Sequence, residues 1–124
     1  MSETNANDGY PLYDLRIEVI EPEDGKPFIC RHNVGDYFTV TDDDLIAFGP
    51  GVRFPMYSLA GIIPFLPVKQ RDLHPNDWML SDDVIRCTDP HCGGRFRIIR
   101  QTRRMHSHSA NSAVALTHTK EGEQ

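Results

Sequence analysis

Long apolar runs are missing from this chain. Nothing in it approaches the ~20 consecutive apolar residues that a membrane helix needs, and the first residues, MSETNANDGYPL, lack the basic and hydrophobic regions of a secretory leader. Cysteine is scarce and odd in number, at three. Without an export signal, that argues for reduced thiols in the cytoplasm and against a disulfide framework. Excess positive charge is missing too: 13 Lys and Arg stand against 18 Asp and Glu, for a net charge of −5. An acidic balance speaks against a dedicated nucleic-acid binder, although Arg95, Arg97, Arg100, Arg103 and Arg104 form a basic strip. There is no Gly-rich phosphate loop, no Ser-His-Asp order and no H-E-x-x-H pair.

The 124 residues suffice for one small domain. Residues 1–12 and 101–124 are polar and carry no lasting apolar period, so both read as disordered tails around a single domain at 13–100. The acidic groups Glu21, Glu23 and Asp24, then Asp42, Asp43 and Asp44, read as solvated loops, and His106, His108 and His118 as part of the polar tail.

Within the domain, "YDLRIEVIE" (13–21) alternates strictly, with Tyr13, Leu15, Ile17 and Val19 on one face. That is a half-buried strand. "PEDGK" turns the chain, "VGDYFTV" (34–40) makes a second strand entered through a Gly-Asp turn, and "LIAFGPG" (45–51) a short third. In "PMYSLAGIIPFLPVKQRDL" (55–73), Leu59, Ile62, Ile63 and Leu66 follow a helical stripe. Pro64 should end or kink that helix, because it removes an amide donor and presses on the carbonyl of Ala60. "NDWMLSDD" connects, anchored by Trp78, and "VIRC" and "RFRIIR" flank "TDPHCGG" as a hairpin. The expected fold is α+β: a small, mainly antiparallel sheet with one short helix packed on it, in the order β-β-β-α-β-β. Its core should join Ile17, Val19, Phe38, Val40, Ile85, Phe96 and Ile98 to Leu59, Ile62 and Ile63.

Chemistry-bearing side chains gather in two places: Cys30 and His32 before the second strand, and Cys87, His91 and Cys92 in the hairpin. Thiolate and imidazole are ligands that zinc or iron prefers, and two adjacent loops could bring them together. The spacing is not that of a specific knuckle, since C-x-H is tight and C-x4-C wide. Three readings stay open: a metal site drawn from these five residues, a reactive thiol at Cys87 or Cys30, or small residues packed at strand ends. Cys92, beside two glycines, is expected on the outside of its loop. Asp36 and Asp89 satisfy turn amides, and either could serve as a general base in a pocket. We therefore carry Cys87, Cys30 and Asp89 as candidate catalytic groups.

The elements "LRIEVIE", "VGDYFTV", "FPMYSLAGIIPFLP", "DW", "CTDP" and "FRIIR" together resemble a family of small uncharacterised prokaryotic proteins, over nearly all of residues 13–100. The family's Cys-x4-Gly-x2-Phe motif matches Cys30, Gly35 and Phe38, and its Cys-x-Asp turn matches Cys87 and Asp89. The family often has a further cysteine just before the helix, in a Phe-Cys-x-x-Ala-like motif. This chain reads Phe54-Pro55-Met56-Tyr57 there, which departs from a three-thiolate centre. The resemblance implies the domain and two cysteines, and no reaction.

Two functions are thereby expected. In one, a cysteine/histidine metal or thiol site acts on a small polar or aromatic metabolite or in redox handling. In the other, a non-catalytic accessory subunit docks on a larger metabolic enzyme through the helix and "FGPGVRFPMY". Whether the protein is an enzyme stays open.

Overall fold

The computed structural model describes residues 8–24, 26, 27, 31–81 and 83–116. Five strands form one sheet in the spatial order β3-β2-β1-β5-β4. They are β1 (Gly9–Ile20), β2 (Tyr37–Thr41), β3 (Leu45–Phe48), β4 (Val84–Arg86) and β5 (Arg95–Ser107), and every neighbouring pair is antiparallel. The helical segment falls between β3 and β4, so the α+β class and the element order expected above are those of the protein.

β1 is central, paired with β2 on one side and β5 on the other. Leu15, Ile17 and Val19 are buried on one face, where they meet Phe38 and Val40 of β2 and Phe96 and Ile98 of β5. The helical segment covers this face. Helix α1 (Met56–Ile62) stops two residues before Pro64, as the missing amide donor requires. The chain then tightens into a 3-10 turn (Ile63–Phe65) and resumes as α2 (Leu66–Lys69). Pro67 lies in the first turn of α2, where its absent N–H costs nothing. The change of pitch alters the stripe: Ile62 and Leu66 are buried, while Ile63, expected in the core, is turned to solvent. Single turns α3 (Trp78–Ser81) and α4 (His108–Asn111) complete the fold. Lys69 is buried, and its Nζ donates to the Met79 carbonyl, tying α2 to α3.

The boundaries expected at residues 12/13 and 100/101 are corrected. β1 begins at Gly9 and β5 runs to Ser107, and the two pair from Gly9↔Ser107 to Tyr13↔Arg103 before a bulge shifts the register. This arm forms through backbone hydrogen bonds, which do not require an apolar period. Charge and capping then secure it. Asp14 is buried at 2.7 Å from Arg104 Nε, and Asp8 accepts from the backbone N–H and the hydroxyl of Ser109. Tyr10 stacks on His108 at 4.3 Å and donates its hydroxyl to Asp43 at 2.7 Å.

All five arginines of the basic strip bind acceptors on the chain itself. Arg95 donates to the Glu21 carbonyl, Arg97 lies 3.8 Å from Asp83, and Arg103 is paired with Asp72 at 2.8 Å. Arg104 is held by Asp14 as described. Arg100 covers the Tyr13 ring at 3.8 Å and donates to the carbonyls of Lys69 and Arg71. The strip is thus a row of staples between β5 and its surroundings. No helix among the described residues is long and apolar enough to cross a membrane.

Candidate functional site

The hairpin loop at residues 87–94 is built by local hydrogen bonds. Cys87 N donates to the Gly94 carbonyl at 2.9 Å, closing the end of β4. Inside the loop, Asp89 Oδ1 accepts from His91 N at 2.9 Å and the Asp89 carbonyl from Cys92 N at 3.0 Å, the turn role expected of Asp89. The loop then packs on the β1–β2 connection, where Gly93 N donates to the Pro27 carbonyl and Glu23 N to the Gly93 carbonyl. A Cβ on Gly93 would stand 3.0 Å from Lys26 Cβ and 3.1 Å from the Lys26 carbonyl oxygen, so any other residue would push the two segments apart by a few tenths of an ångström.

That packing overturns the expected position of Cys92. It is buried rather than outermost, and its sulfur accepts from Gly94 N at 3.3 Å. The neighbouring glycines do not expose it. Gly93 instead admits the β1–β2 connection against the loop.

Cys87 is half-buried against the core and faces a pocket of about 480 Å³. Arg31, Pro55, Tyr57, Ser58, Thr88 and Asp89 line the rest of it. Ser58 occupies the third position of α1, four residues before Ile62, and both are buried. Its Oγ lies 3.0 Å from Nε2 of His32. The His32 ring is also buried, edge-on to Phe54 at 4.6 Å and to Phe96 at 5.0 Å. Burial pushes the His32 imidazole below its ordinary value, and the Asp36 carboxylate partly opposes that shift. His32 is therefore a neutral side chain behind the pocket wall at neutral pH.

Of the residues expected at a site, Cys87 and Asp89 share this pocket, and His32 stands behind it through Ser58. His91 is exposed on the loop, and Cys92 is turned inward. Cys30 lies outside the described residues, and with it the expected meeting of Cys30 and Cys87. Among the described residues, no three His, Cys, Asp or Glu side chains gather as a metal-holding group.

Sequence reasoning did not find Ser58, Arg31 or Thr88 as pocket residues. One signal for Ser58 was available: a small polar residue on the buried i, i+4 stripe with Ile62 implies a polar contact within the core. No family model matches the chain, and no curated protein or solved structure matches it either.

Proposed function

We propose that this is a thiol-centred protein acting on a small polar or aromatic metabolite, with Cys87 as the reacting group. The observation that supports it is the convergence of the Cys87 thiol, the His32–Ser58 pair, the Arg31 guanidinium and the Asp89 carboxylate around one pocket. Each has a role in this reading. Arg31 binds an anionic group of the metabolite by a forked hydrogen bond. Tyr57 stacks at the mouth, and Asp89 accepts the thiol proton as the sulfur adds to a carbonyl carbon of the metabolite, whose C=O π pair moves onto the oxygen and takes the proton back from Asp89. Neutral His32 fixes the Ser58 hydroxyl, which orients a polar atom of the bound molecule.

Alkylation by iodoacetamide, followed by peptide mass mapping, tests this. Cys87 should be modified faster than the buried Cys92, and a small carboxylate held by Arg31 should slow it. Arg31→Ala should abolish that protection. Equal, slow modification of Cys87 and Cys92, with no protection by any small anion, overturns the reading. That outcome would favour the docking alternative, which draws on the exposure of Met56 and Tyr57 at 73% and 71% beside the Pro-rich segment.

A further inference from the structure

We infer that β3 is the contact strand of a two-fold dimer, in which the edges of two copies pair antiparallel and join their sheets. The two edges of the sheet differ. β4, at one edge, has three residues and carries Arg86, which is paired with Glu23; shortness and charge are common protections of a sheet edge. β3, at the other, has four residues with no charge, proline or bulge, and Leu45, Ile46 and Phe48 are 58%, 41% and 44% exposed. Among the described residues no strand lies beyond it. An uncharged apolar edge of this kind invites another strand.

The hydrogen-bond parity of β3 sets the register. Gly49 N donates to the Tyr37 carbonyl, so in this antiparallel pair Gly49, Ala47 and Leu45 direct their backbone groups at β2. Ile46 and Phe48 therefore direct theirs outward. A two-fold axis through Ala47 places Ile46 opposite Phe48 of the second copy, and Phe48 opposite its Ile46. Both are hydrogen-bonded pairs, each exchanging its two N–H···O bonds.

Side chains and charge fit the same register. Ile46 and Phe48 are on the face that carries the core, since they pair with Val40 and Phe38. Cross-strand Ile–Phe contacts are favourable. Phe48 of the second copy then reaches the rim of a hollow of about 120 Å³, formed by Ile46 with Ile63, Leu66 and Pro67. Its arrival covers Ile63, the residue that the 3-10 turn leaves in solvent. At the ends of the strand, the acidic turn of Asp42, Asp43 and Asp44 comes near the turn at Gly49–Val52 of the second copy, and exposed Arg53 follows directly on that turn. The pairing is complementary in backbone, apolar surface and charge.

Sedimentation velocity on the full chain, from low micromolar to near-millimolar concentration, tests this. The protein should pass from monomer to dimer. Ile46→Lys should raise the dimer dissociation constant by about tenfold or more, because it sets two lysines into the seam. Arg53→Glu should weaken the dimer less, and chiefly at low salt. Circular dichroism and thermal melts confirm that both variants stay folded, which is expected because both side chains are exposed. A monomer at every concentration overturns the proposal, as does a dimer that Ile46→Lys leaves unchanged. A dimer as tight in Arg53→Glu as in the parent at low salt overturns the antiparallel register.

Discussion

His32 and Ser58, 26 positions apart in the chain, meet at 3.0 Å behind the Cys87 pocket. Each explains why the other is buried. The serine hydroxyl gives the imidazole a polar partner inside an aromatic shell, and the imidazole satisfies a hydroxyl on the buried stripe of α1.

This pair makes stability depend on pH. Burial holds the folded His32 below the value of about 6.5 that an unfolded histidine has. The unfolded chain therefore takes up the proton first as pH falls. The stabilisation is complete above about pH 6.5 and is lost as pH drops through the folded value. Denaturant unfolding across this range should show that loss, and His32→Gln should flatten it. Ser58→Ala should cost about 1 kcal/mol at neutral pH.

Tyr10 joins the β1–β5 arm to the β2–β3 turn. Its hydroxyl is pushed up to about 12, first by burial and then by the hydrogen bond and charge of Asp43. Because the folded value is raised, this contribution to stability is complete below about pH 10 and lost as pH rises through the folded value. Absorbance titration of tyrosinate should contain a late step that Tyr10→Phe removes. Asp43→Asn should move that step to lower pH.

The C-terminal half of β5 is structural. Truncation after Arg100 deletes the partners of residues 9–13 and the Arg104 partner of buried Asp14. The melting temperature should fall by more than about 5 °C, corresponding to about 1 kcal/mol or more in a domain of this size. A melt unchanged by the truncation would show that the arm contributes nothing.

Gly61 touches the pocket loop. A Cβ there would lie 2.6 Å from Cγ2 of Thr88. Gly→Ala inside a helix ordinarily gains up to about 1 kcal/mol. Here Gly61→Ala should instead destabilise, by about 1–2 kcal/mol, because threonine is stiff and the loop must give way. Thr88→Ser removes the obstructing methyl and should restore the ordinary gain in the double variant. Thermal or urea melts of the four proteins decide it.

Much of the fold was legible because its signals are local. Strict alternation in β1 placed Leu15, Ile17 and Val19 on one face, and their burial follows from the period of two. The steric demand of Pro64 ended α1, and the turn-rich "TDPHCGG" joined β4 to β5. The pocket was legible only in part: Cys87 and Asp89 stood out by residue type and Ser58 only by its place on the helical stripe, whereas nothing marked Arg31 and Thr88.

What the chain determined by itself is therefore its pattern of faces, breaks and turns, since each depends on neighbours a few residues away. Tertiary structure decided the rest. The pairing of Gly9 with Ser107 rests on backbone groups that every residue carries, so no side-chain pattern announces it. Cys92 is buried in a loop whose Gly93 bonds to distant Pro27, and His32 is buried where α1 brings Ser58 and β5 brings Phe96 to it. In both cases burial is set by which distant segment arrives, and hydrophobic pattern within one segment cannot encode that.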